Sequence, residues 1–141
     1  MQIFLIGTVI ETAISLDKRR LNKQIIETKQ ILKAISGESA FWKNHPVSKM
    51  YSRHTDWLKL YVSCLEKYRD GYFDDARIIS ENSEEIRPLF TYDHNFLENM
   101  KRRLYTKNPE HYSQWAELGK SYVNLYYVDN EWLRYEQKIK S

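Results

Sequence analysis

One cysteine stands in 141 residues, so the chain can form no internal disulfide and no cysteine-cluster metal site. Cys64 alone suits a reducing compartment. Glycine and proline are scarce as well, at four and three. That leaves few forced turns and no flexible, collagen-like or low-complexity tract. No apolar run approaches the roughly 20 residues that a membrane-spanning helix needs. Met1 to Ile6 is largely apolar, but no basic stretch precedes it and no small-residue cleavage site follows, so a secretion signal is not expected. His45, His54, His94 and His111 form no H-E-x-x-H pair, and there is neither a G-x-x-x-x-G-K-[ST] loop nor a G-x-S-x-G elbow. Neither a metal nor a nucleotide cofactor is expected.

Charge is present and unevenly spread. Residues 1–70 carry 12 Lys/Arg against 7 Asp/Glu, whereas residues 71–141 carry 10 against 12. The surplus gathers at Lys18, Arg19, Arg20 and Lys23, with a second cluster at Lys101, Arg102 and Arg103. A localised basic field favours a polyanionic partner more than a net charge of +3 does. The alternative is a solvated helix face. Aromatic residues are plentiful, with 11 Tyr, 5 Phe and 4 Trp. Most are expected to pack in or near the core, and a few to stack on bases.

Periodicity predicts an all-α, compact single domain over 1–141, with three main helices joined by short helices and ordered connections. The first six residues read as an extended segment entering the core, and Thr8 to Ser15 as a small helix or turn. The first long helix is expected from Asp17 to Ile35. Leu21, Ile25, Thr28, Leu32 and Ile35 form its buried stripe, Asp17 or Ser15 its cap and Ser36-Gly37 its stop. The second is predicted over Val47–Tyr68, turning Tyr51, His54, Leu58, Tyr61, Leu65 and Tyr68 inward. Acidic residues 71–90 link it to a third helix, Asp93–Tyr105, with a short helix of their own as one option. That third helix would bury Phe96 or Leu97, Met100 and Leu104 and expose Lys101, Arg102 and Arg103. Asn108-Pro109 is expected to cap and open a short helix reaching Trp115. The aromatic tail from Gly119 is expected to pack across the helices.

Glu27 is the only acid of the first long helix after its cap. Gln24, Lys23 and Arg20 precede it by three, four and seven residues, all on roughly its side. One reading is a surface ion pair with Lys23. The other is an acid or base set inside a phosphate-binding face.

Four segments taken in order resemble the phage-type pyrimidine-dimer DNA glycosylase/AP lyase family. They are M-Q-I-F-L at the start, L-D-K-R-R-L-N-K-Q-I-I-E-T-K-Q-I-L, W-K-N-H-P from Trp42 to Pro46, and K-N-P-E-H-Y-S-Q-W from Lys107 to Trp115. W-K-N-H-P is especially similar to the family's cellular branch. Members use an N-terminal α-amine as nucleophile and a helix glutamate, so the resemblance implies the Met1 amine and Glu27 as the catalytic pair. An α-amine, with a reference pKa of about 8, keeps an appreciable neutral fraction near pH 7 where an ordinary lysine does not. Gln2 behind Met1 disfavours removal of the initiator methionine, which leaves the amine on Met1.

The resemblance further implies double-stranded DNA containing a damaged or modified pyrimidine as partner, no cofactor and no membrane. It places a monomer in the cytoplasm or on the nucleoid, with viral origin in view. Gln2, Arg19, Arg20, Lys23, His45, Lys101, Arg102, Arg103, Asn108, His111 and Tyr112 are the expected DNA contacts, with Trp115 serving either the site or the core. His45 has a second reading as a brace for the second helix, and His54 reads as a hydrogen-bonded core residue. The match departs from the phage enzymes in the recognition shell. Ile26 and Gln30 stand where those enzymes have arginines, Arg20 stands where they have a histidine, and the segment before Glu27 is longer. Two other classes remain beside the enzyme: a noncatalytic nucleic-acid-binding relative, and a structural or protein-interaction module.

Overall fold

The computed structural model describes residues 1–135. They pack in two units, Met1–Pro88 and Leu89–Ser141, the latter described through Tyr135.

In the first unit, residues 1–5 run without regular secondary structure, and Gln2 through Leu5 are buried. Helix α1 (Val9–Ser15) starts at Thr8, which forms a capping box with Glu11. Helix α2 (Lys18–Ser36) is capped by Asp17, whose carboxylate accepts from the Arg20 N–H, and stops at Gly37 in the left-handed region, φ 84°. Glycine takes that conformation without the Cβ clash other residues meet. The buried stripe of α2 is Leu21, Gln24, Ile25, Thr28, Ile31 and Ala34. Leu32 and Ile35, expected inside, are only half-buried because the stripe drifts around the helix toward Ile31 and Ala34.

The single helix expected over Val47–Tyr68 is instead two. Helix α3 (Pro46–Met50) ends at Tyr51, and α4 (Thr55–Arg69) begins after His54. The break lets Tyr51 turn back and stack on Trp57, ring centroids 5.8 Å apart, and both rings are buried. His54 lands at the N-cap of α4, half-buried, with no side-chain cap bond. Residues 71–90 hold α5 (Phe73–Glu84), which packs on α4, and α1 packs on both. The core is Ile3, Phe4 and Leu5 against Leu21, Ile25, Trp57, Leu58, Tyr61 and Leu65. Each such side chain contributes about 1.5–3 kcal/mol through burial.

In the second unit, a short 3-10 turn (Leu89–Tyr92) precedes α6 (His94–Lys107), which buries Phe96, Asn99, Met100 and Leu104. Asn108-Pro109 does not open an α-helix. The Asn108 side chain accepts from the His111 N–H and closes a turn, after which a 3-10 segment (Ser113–Leu118) follows. The molecule is predominantly helical, but not all-α. Strands β1 (Asn124–Val128) and β2 (Glu131–Tyr135) form an antiparallel hairpin with Tyr126 opposite Leu133 and Val128 opposite Glu131. Its two-residue turn, Asp129-Asn130, has positive φ at both positions (53° and 64°), as a type I′ connection requires. Tyr, Val and Trp favour an extended, pleated backbone, so the aromatic tail pairs with itself. Among the described residues, no helix is long and apolar enough to cross a membrane.

Candidate active site on the second helix

Residues 2–4 have no strand beside them, yet their backbone is buried and its polar groups need partners. Gln24 of α2, with no exposed surface, supplies two. Its Oε1 accepts from the Phe4 N–H at 2.9 Å, and its Nε2 donates to the Gln2 carbonyl at 3.0 Å. From α4 the Tyr61 hydroxyl donates to the Phe4 carbonyl at 2.6 Å. The Arg20 guanidinium lies 5.7 Å from the centre of the Phe4 ring. Three side chains therefore clamp the chain beginning to α2 and α4, and the clamp grips at Gln2, one residue from the Met1 amine. Met1 itself is half-buried.

Glu27 follows Gln24 by three residues, close to one helical turn. Its side chain is 16% exposed, and its Oε1 stands 3.8 Å from the Lys23 ammonium, which is itself largely exposed. At that distance, and with the lysine on the N-terminal side, the pair contributes little to helix stability. Burial above all, and then the charges of Tyr51, Cys64 and Glu27, push the Tyr61 hydroxyl well above the usual tyrosine range. Tyr61 thus keeps the proton it donates to Phe4, and Glu27 is near enough to act on it. Arg20, Lys23 and the clamped chain beginning lie along the first half of α2, which leads to the carboxylate of Glu27 at mid-helix, with Arg19 exposed beside Arg20.

His45 caps α3. Its Nδ1 accepts from the Val47 N–H at 3.1 Å, which leaves Nε2 as the donor nitrogen. The ring meets Trp42 edge-on at 5.3 Å. His54 has its pKa lowered, first by burial and then by the adjacent Arg53.

The remaining sequence-predicted contacts belong to the second unit. Lys101, Arg102 and Arg103 are half-buried, not exposed. Arg102 donates to Glu98 at 2.6 Å, while Arg103 bonds Asn124 and lies over the Tyr122 ring at 5.4 Å. Glu98 lies one turn back on α6 itself, whereas Asn124 comes from the hairpin, where the helical period of α6 could not reveal it. His111 is exposed and meets Tyr112 edge-on at 4.6 Å. Tyr112 faces the core at 1% exposure, stacked on Trp115. Among the described residues, no group of three or more His, Cys, Asp or Glu side chains is gathered as metal ligands would be.

Residues 1–68 match the pyrimidine dimer DNA glycosylase family. No curated protein and no solved structure matches the chain. The segment matched to the glycosylase family contains the whole clamp, Glu27, the Trp42–Pro46 motif and nearly all of α4. It ends before α5 and the second unit. Sequence reasoning missed Gln24 and Tyr61 as parts of this site. A polar Gln24 between Leu21 and Ile25 on an apolar stripe was the available signal, because a buried amide must be hydrogen-bonded.

Proposed function

We propose that the protein is a DNA glycosylase with coupled AP-lyase activity on damaged or modified pyrimidines in duplex DNA. In this reading residues 1–141 act as one functional domain, as a monomer, in the cytoplasm or on the nucleoid. The Met1 α-amine is the nucleophile and Glu27 the acid–base residue. The amine nitrogen attacks the anomeric carbon of the sugar, and the bond from that carbon to the base breaks. The base leaves with a proton, the sugar ring opens and an imine joins protein to DNA. Loss of a proton from the neighbouring sugar carbon then expels the 3′ phosphate, and water releases the amine. Glu27 stabilises positive charge on the sugar and carries protons during ring opening and elimination. Stacked duplex conceals the reacting atoms, so the DNA is bent and the target nucleotide extruded or its partner displaced. Arg19, Arg20, Lys23 and His45 line the DNA in the first unit, whereas the buried Gln2 serves through the clamp. Lys101, Arg102, Arg103, Asn108 and His111 contact it from the second, where the core-facing Tyr112 serves packing instead.

The observation that carries this reading is the clamp. Gln24 ties the backbone one residue from the Met1 amine to the helix turn that leads to Glu27. Such positioning is what covalent catalysis by a chain-end amine requires. Borohydride reduction in the presence of dimer-containing or abasic duplex should yield a covalent protein–DNA adduct, and acetylating the amine should abolish it. Intact mass should show Met1 retained. Glu27→Gln is expected to keep most DNA binding and lose turnover by about 10²–10⁴-fold. Unchanged turnover in E27Q would reject the assignment. Salt-sensitive DNA binding with no adduct on any damaged-pyrimidine substrate would leave a noncatalytic binder.

A further inference from the structure

The turn between α2 and α3 carries an aromatic side chain in water and a bulky residue in a rare backbone conformation. Phe41 is 67% exposed, and Trp42 beside it has φ 67°. The left-handed region is a true outlier for a side chain of that size and persists only where the surroundings hold it. Here they do. The Phe41 N–H donates to Ser39 Oγ at 3.1 Å, and the Lys43 N–H to the Ala40 carbonyl at 3.3 Å. The Trp42 carbonyl accepts from both the His45 N–H (3.1 Å) and the Ser48 hydroxyl (2.8 Å). The Trp42 indole stands between Phe41, edge-on at 5.0 Å, and His45, and its buried Nε1–H has no hydrogen-bond partner.

Scattered exposed apolar residues are ordinary on protein surfaces. Phe41 differs because its pedestal is rigid and strained. The ring is held out on a braced turn with Lys43 and Asn44 exposed beside it, on a unit with a surplus of cations. A fixed aromatic ring next to an ammonium fits a partner that offers apolar ring faces alternating with anions, which is what a nucleic acid does.

Building on the DNA-directed reading above, we infer that Phe41 is a wedge. It stacks against a base step that the bent duplex opens, while Lys43 meets the adjoining phosphate and Trp42 holds the ring upright. The wedge is a positioning element apart from the Met1–Glu27 chemistry.

Binding of the full chain to abasic duplex, read by fluorescence anisotropy, together with the duplex bend, read by end-to-end energy transfer, tests this. Phe41→Ala should weaken binding by about 5–100-fold and reduce the bend, with an unchanged slope of affinity against salt. Phe41→Leu, which keeps a wedge of similar bulk, should recover most of both. Lys43→Ala should lower the salt slope by about one. The wedge is overturned if F41A binds within twofold of the parent with the same bend. It is equally overturned if F41L behaves as F41A does, or if the parent chain binds no DNA. Adduct formation by the parent separates the two inferences: parent adduct with an inert F41A change sinks the wedge alone. Parent binding and bending that depend on Phe41, without any adduct, sink the lyase alone.

Discussion

Two non-helical stretches of the chain solve the same problem in opposite ways. Residues 2–4 satisfy their buried backbone with side chains, Gln24 and Tyr61, whereas residues 124–135 satisfy theirs with each other across the hairpin. A backbone ladder is generic, since any residue other than proline can continue it. A side-chain clamp is particular: it works only with an amide at position 24 and a hydroxyl at position 61. The clamp therefore fixes one register of the chain beginning against α2, while the hairpin takes its register from a turn. In the proposed mechanism, a nucleophilic amine needs the first kind of hold.

The largest effect that sharpens this contrast is expected from alkali. Burial raises the Tyr61 and Tyr51 hydroxyls far above the ordinary range and pushes the Cys64 thiol up to about 12. Their folded pKa values exceed the unfolded ones, so the protonated forms stabilise the fold. That contribution is whole below the unfolded values, about 8.5 for the thiol and 10 for the phenols, and is lost as pH rises through the folded ones. Each group costs up to about 1.4 kcal/mol per pH unit above its unfolded pKa. In the hairpin, burial raises Tyr126 as well, but Arg103 opposes the shift. Denaturant melts between pH 8 and 12 should show stability falling steeply above about pH 10. A flat profile would contradict the burial of these groups.

Next comes Gln24→Leu, which keeps the apolar stripe and removes the amide that bonds the Phe4 N–H and the Gln2 carbonyl. A loss of about 2–4 kcal/mol is expected in urea melts. Borohydride trapping per folded molecule should fall further than stability explains. If Q24L traps normally once folded, the clamp does not position the amine. Tyr61→Phe removes one donor and should cost about 1–2 kcal/mol, with a smaller loss of trapping. The mildest change lies in the hairpin. Asn130→Ala puts an alanine at φ 64°, and a cost of about 1 kcal/mol is expected, leaving trapping untouched. Asn130→Gly should be neutral or slightly stabilising, and a thermal melt reads both.

Local rules reached far along α2. The Asp17 cap, the Gly37 stop and the Leu21–Ile25–Thr28 stripe follow from capping chemistry and the helical period. Glu27 stood out because it was the lone acid in a basic helix. The Tyr51–His54 break was not legible, because the stacking of Tyr51 on Trp57 outweighs an unbroken run of helix-compatible residues. Nor was the hairpin: Asp129-Asn130 lacks the glycine that usually marks such a turn, and its aromatics read equally well as packing residues. The expected exposure of Arg102 and Arg103 failed for a related reason. Their partners, Glu98 and Asn124, include one a single helical turn away and one from the hairpin.

The sequence by itself determined the predominantly helical character, the bounds of α2, the basic bias of residues 1–70 and the place of Glu27. These are local properties, set by side-chain period, cap chemistry and charge. Only the tertiary structure decided that Gln24 and Tyr61 hold the chain beginning. It alone also turned the aromatic tail into a hairpin and raised Phe41 on a strained Trp42. Each of these depends on buried polar groups or rings finding partners remote in sequence or held in a rare backbone state, and no periodicity in the chain records where those partners lie.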